Sequence, residues 1–118
     1  MSTPIDRMHT NARMSKIVRH AGVVYLCGQT SNGTEIGDAA GQTQEILKRI
    51  DGLLQEAGSD KSRLLTAIIY LRHTSDFDAM NTQWEAWMPA GCAPARTTVQ
   101  APCAGPNLLV EITITAAT

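Results

Sequence analysis

Aromatic residues make up only 4% of the 118-residue chain, and the two tryptophans, Trp84 and Trp87, fall at the spacing of a helix core. No stacking platform for single-stranded nucleic acid is left. Charge of one sign is equally scarce. Ten basic and eleven acidic residues leave a net charge of −1, so no diffuse positive field gathers nucleic acid or anionic lipid, and any anion site must be local. No apolar run is long enough to cross a bilayer, and the segment from Met1 to Arg7 lacks the hydrophobic stretch of a signal peptide. These absences lead us to expect a cytoplasmic protein with neither a nucleic-acid nor a membrane partner.

Cysteine is sparse too. Cys27, Cys92 and Cys103 are odd in number, far apart and without a C-x-x-C pair, which suits neither a disulfide framework nor a zinc site. His9, His20 and His73 stand alone, with no metal-ligand spacing, and no nucleophile elbow accompanies them. Neither G-x-G-x-x-G nor G-x-x-x-x-G-K occurs, so no nucleotide cofactor is implied. Chemistry without metal or cofactor is the expectation.

What is present is enough for one folded unit. The chain is 43% hydrophobic and 18% charged, far from the profile of disorder, and its length suits a single domain over residues 1–118. Ser15 to His20 and Val23 to Gly28 read as two strands joined by a turn at Ala21 and Gly22. Asp38 can cap a helix whose apolar stripe is Ile46, Leu47, Ile50, Leu53, Leu54 and Ala57, with Gly58 ending it. Leu64 to Leu71 is a nearly unbroken apolar run, as in a central strand buried on both faces. Thr74 or Ser75 can cap a second helix that buries Phe77, Met80, Trp84 and Trp87 and stops near Met88, before Pro89. Arg96 to Gln100 and Leu108 to Ala116 complete the strands, the last with Leu108, Val110, Ile112 and Ile114 on one side and Glu111, Thr113 and Thr115 on the other. The order predicts an α+β fold with two helices on one face of a mixed sheet. Two helices cover little more than one face, so the polar face bearing Glu111 suits a subunit interface.

Arg96 enters its strand from the loop Cys92-Ala93-Pro94-Ala95. A guanidinium there offers a planar fork that matches a carboxylate, or it forms a structural salt bridge with a residue such as Glu111. Glu111 lies in sequence among Leu109, Val110, Ile112 and Ile114, where desolvation would suit proton transfer; a strand-edge ion pair is the alternative. A hairpin through the Pro102–Asn107 turn would put the two on adjacent strands. Cys27 precedes Gly28, where backbone can approach a ligand, although a buried, inert thiol is the commoner outcome. Asn81 interrupts an apolar helix face, as a satisfied core amide or as a polar group turned to a pocket.

Several segments together carry a resemblance: Val24-Tyr25-Leu26-Cys27-Gly28-Gln29, the helix from Ile46 to Gly58, Phe77-Asp78-Ala79-Met80-Asn81, Pro94-Ala95-Arg96-Thr97-Thr98-Val99 and Leu109-Val110-Glu111-Ile112. In this order they are similar to the Rid (reactive intermediate deaminase, YjgF-like) family over nearly the whole chain. The resemblance implies a chorismate-mutase-like α+β fold and a homotrimeric barrel with sites between subunits. It further implies hydrolysis of enamine and 2-imino acid intermediates to 2-oxo acids and ammonia, without a cofactor. By the same resemblance, Arg96 would grip the substrate carboxylate and Glu111 would position or activate water. Gly28 matches a backbone contact, Asn81 a pocket residue, and Thr98 a position where many members carry cysteine. Met14 and Cys27 stand where tyrosine and serine are usual, which makes the pocket wall less polar and bears on substrate choice. A non-catalytic module that binds a small carboxylate is the alternative reading, and a ribonuclease or chaperone-like activity is a third.

Overall fold

The computed structural model describes residues 3–118. Three strands open it: β1 (Ile5–Thr10), β2 (Ser15–His20) and β3 (Val23–Leu26), paired as an antiparallel meander. The β2–β3 turn places Ala21 and Gly22 at φ of 50° and 81°, the double left-handed pair that suits a two-residue hairpin. β1 has no counterpart in the sequence reading. Its six residues are mostly exposed, so no apolar periodicity announces it, and pairing with β2 is what holds it in place.

α1 (Ala39–Glu56) begins where expected, with the Asp38 carboxylate accepting from the Gly41 amide at 3.1 Å. It ends at Gly58, where φ is 81° and the amides of Gly58 and Ser59 donate to the carbonyls of Gln55 and Leu54 at 3.1 and 2.9 Å. That pair of bonds closes a Schellman motif. β4 (Leu64–Leu71) follows, then α2 (Phe77–Trp87), β5 (Ala95–Gln100) and β6 (Val110–Ala117). The expected cap of α2 is absent: Thr74 and Ser75 lie in a 3-10 turn, and Asp76 at the helix start makes no side-chain capping bond.

The six strands form one sheet in the order β1-β2-β3-β6-β4-β5, in which β4 and β5 run parallel and every other pair is antiparallel. The core fills the face under the helices, where Ile17, Val24, Ile69, Ile112 and Ile114 meet Ile46, Ile50, Leu54, Met80 and Trp84. The other face is open, and Tyr25, Leu65, Ile68 and Val99 are exposed on the sheet or at its margin. β4 is central in pairing, but its alternating burial departs from the two-sided burial expected of its apolar run. Among the described residues no second layer covers the open face. Phe77 also departs from expectation, being exposed while Met80 and Trp84 are buried. Among the described residues no helix is long and apolar enough to cross a membrane.

Candidate functional site

Arg96 on β5 pairs in register with Ala67 of β4, a buried residue of the helix-covered face. Its side chain therefore leaves the sheet on that face, at the edge strand, and its Cζ lies 5.5 Å from the centroid of the Trp84 ring. Trp84 is itself fixed. It packs against Trp87 at a centroid distance of 5.4 Å, and the Trp87 indole N–H donates to the Asp51 carboxylate at 3.0 and 3.1 Å. The guanidinium thus rests on a rigid aromatic surface, a contact that favours a cation without neutralising it. Neither Arg96 nor Glu111 forms an ion pair among the described residues, so both salt-bridge readings are set aside.

Two residues further along β5, Thr98 faces the same way. Its Oγ1 is buried without a hydrogen-bond partner, and so is Oδ1 of Asn81. On α2, Phe77, Asn81 and Trp84 fall at i, i+4 and i+7 and share a face. Trp84 lies under Arg96, while Phe77 and Thr98 line one cavity, so helix and strand run in opposite directions and Asn81 lies between the two contacts. Folding leaves buried polar atoms unpaired only at a cost of about 1–3 kcal/mol each, which is why two of them near an unpaired guanidinium mark a place prepared for an additional polar partner.

Glu111 lies elsewhere. β6 alternates strictly, with Val110, Ile112, Ile114 and Ala116 buried under the helices, so Glu111 projects from the open face, opposite Tyr70 in register. Its apolar sequence neighbours Val110, Ile112 and Ile114 point to the other face and do not surround it. A Cβ on Gly28 would overlap the Glu111 carboxylate; glycine is what lets the carboxylate lie against the main chain. Reciprocal bonds between Gln29 and Ile112, at 2.9 and 3.0 Å, hold this junction together. Cys27 adjoins it, with Sγ accepting from Gln29 Nε2 at 3.3 Å. Burial raises the Cys27 thiol pKa and the nearby Glu111 charge adds to this, while Lys16 opposes it. Burial and Glu111 likewise raise Cys103, against Arg72. Both are thiols, not thiolates, near neutral pH. Met14 sits exposed in the β1–β2 turn, where the Asn11 side chain accepts from the Arg13 and Met14 amides at 2.8 and 3.0 Å.

One expectation is overturned. Arg96 and Glu111 do not occupy adjacent strands, because β4 runs between β5 and β6. The connection from Ala101 to Leu109 is not a tight hairpin loop but arches over the end of β4, pinned by Ala101 N–H to Leu71 O and Arg72 N–H to Leu109 O, both 2.9 Å. Two strand spacings, about 10 Å, and the thickness of the sheet separate the two groups within a chain. The structure therefore gathers two sets: Arg96, Thr98 and Asn81 on one face, and Glu111, Gly28 and Cys27 on the other.

A cleft of about 610 Å³ between the loops 30–37 and 104–109 is lined by none of these residues. Its walls are tied to α1: Arg49 donates to the carbonyls of Thr30 and Asn32, and buried Gln42 bonds Ile36 O, Asn107 O and the Leu109 amide. Sequence reasoning missed this cleft, and it also took Trp84 for core alone. Among the described residues no group of three or more His, Cys, Asp or Glu is placed to hold a metal ion.

With this geometry in hand, the comparisons with known proteins agree with one another. The family model described as Endoribonuclease L-PSP matches residues 4–118. The RutC family protein YoaB of Escherichia coli (strain K12) is 44% identical over 113 residues, covering 96% of this chain and 97% of that protein. A RutC family protein of Haemophilus ducreyi is 40% identical over 113 residues, with 96% of each covered. The crystal structure of a YjgF family member from Neisseria meningitidis superposes with a TM-score of 0.93 at 42% identity, covering 98% of this chain and 95% of that one.

Proposed function

Because the chain belongs to the YjgF/Rid family, the one described as Endoribonuclease L-PSP, we propose that it hydrolyses small 2-imino acids to 2-oxo acids and ammonia at sites shared between neighbouring subunits of a homotrimer. The observation that carries this reading is the unpaired Arg96 guanidinium, seated on Trp84 beside the unpartnered oxygen of Thr98 and, along α2, that of Asn81. A planar fork of donors in this setting suits one carboxylate, and the two orphaned oxygens suit the N–H and water protons of an imino acid site.

Glu111 lies on the opposite face, so it reaches such a site only from a neighbouring copy. The apolar residues exposed on the open face supply a surface for that copy. In the reaction, Arg96 orients the carboxylate and withdraws electron density from C2. Water adds to C2 of the C=N bond as the Glu111 carboxylate takes its proton and passes it to the nitrogen, giving a neutral carbinolamine. The remaining hydroxyl proton then passes by way of the same carboxylate to the amino nitrogen as the C–N bond breaks, so that ammonia and the 2-oxo acid leave and Glu111 is again a carboxylate. A module that merely bound carboxylates would gain nothing from a second carboxylate beside its anion, which favours turnover over simple binding.

The test is a coupled assay that generates 2-iminopropanoate or 2-iminobutanoate and follows its decay with catalytic amounts of protein. We expect acceleration by the wild type and a loss of kcat/KM on the order of 100-fold in Arg96→Ala with the fold intact. Wild-type-like hydrolysis by that variant would refute the assignment.

A further inference from the structure

From the cavity beside Thr98 we infer that the site is built for imino acids with an uncharged, apolar side chain of about three to five heavy atoms. This inference rests on the reading that Arg96 holds a 2-imino acid carboxylate. The cavity has a volume of about 320 Å³ and is lined by Leu71, Thr74, Phe77, Thr98, Val99 and Gln100. None of the six is charged, and the wall is largely apolar.

Its position relative to Arg96 follows from the strand. Arg96 and Thr98 are two residues apart on one face of β5, roughly 7 Å along the chain. Trp84 carries the guanidinium, and Phe77, two helical turns earlier on the same face of α2, faces the cavity. A ligand anchored by its carboxylate at Arg96 and extended along β5 therefore passes Asn81 and Thr98 with its C2 end and places its side chain against Phe77. The exposure of Phe77, 43% for a large aromatic residue at the mouth of this cavity, is explained if that surface is covered during binding. A charged side chain would lose its hydration there without meeting a partner, whereas each methylene removed from water gains.

The experiment compares 2-imino acids released by an amino-acid oxidase from alanine, norvaline, leucine, methionine and aspartate, for the wild type and Phe77→Trp. The wild type should hydrolyse the leucine-derived and methionine-derived imino acids with kcat/KM about tenfold or more above the alanine-derived one, and the aspartate-derived one below it. Phe77→Trp, which fills the cavity, should shrink or reverse the leucine-to-alanine ratio. That ratio is internal to each variant and does not depend on how much of it folds. A wild-type preference for the alanine-derived substrate, equal rates across the series, or a ratio unmoved by Phe77→Trp would overturn the subsite while leaving deaminase activity standing. Failure to accelerate any imino acid would instead overturn the deaminase reading. Calorimetry with the 2-oxo acids then decides the subsite: tighter binding of 4-methyl-2-oxopentanoate than of pyruvate supports it, and equal or absent binding overturns it.

Discussion

Arg96 and Glu111 leave the same sheet from opposite faces, with β4 between their strands. A single chain cannot close both groups on one small molecule.

Trp84 should matter to binding as well as to packing. Trp84→Leu removes the surface under Arg96, and we expect a several-fold rise in KM, as befits a cation–π contact of about 0.5–2 kcal/mol, along with a lowered Tm from the lost ring. Binding of 2-oxobutanoate should also change tryptophan emission in the wild type and not in Arg96→Ala. Unchanged KM in the leucine variant would show that the stack is packing only.

Gly28→Ala should separate activity from folding. The added methyl collides with the end of the flexible Glu111 side chain, which can swing away at little cost to the fold. Thermal unfolding should be near wild type while kcat falls on the order of tenfold. A stable variant with full kcat would mean that the carboxylate's position against the main chain is immaterial.

Thr98→Val should trade function for stability. The hydroxyl is buried and unpartnered, so an isosteric methyl relieves an unmet hydrogen-bonding demand worth about 1 kcal/mol or more. Denaturant unfolding should show a stabilised free protein, and calorimetry weaker binding of 2-oxo acids. Destabilisation would mean that the hydroxyl already has a partner.

The two half-buried thiols, Cys27 and Cys103, set an alkaline limit. Cys27 and Cys103 have pKa values raised from 9.0, so the unfolded chain loses these protons first and the folded chain retains more of them. Stability is then fully present below pH 9 and declines as pH rises beyond it. Denaturant titrations at pH 7.5 and 10 should show the decline, and a Cys27→Ala, Cys103→Ala double variant should show a shallower one. Equal slopes would contradict this origin.

Much of this was legible in the sequence because the signals are local. Asp38 and Gly58 bracket α1 as expected from capping chemistry, and the alternation from Val110 to Ala116 states which face is buried. The turn at Ala21 and Gly22 is equally local. The illegible parts depend on long-range topology. A fifteen-residue separation between Arg96 and Glu111 reads the same whether the chain turns back as a hairpin or arches over β4, and only the pairing of β6 with β4 decides between them. Likewise β1 draws its place from its neighbour and not from its own side chains. Trp84 carries an ordinary core signature, and nothing in helical spacing tells that its outer ring face supports a guanidinium.

The most direct test of a shared site is subunit mixing. Arg96→Ala and Glu111→Gln are each prepared as inactive oligomers, unfolded together in equal amounts and refolded. If Arg96 of one copy works with Glu111 of its neighbour, random assembly leaves both groups intact at about one interface in four, and about a quarter of wild-type imine hydrolysis should return. Activity that stays at the level of the separate variants, in mixed oligomers confirmed by mass, would contradict the account.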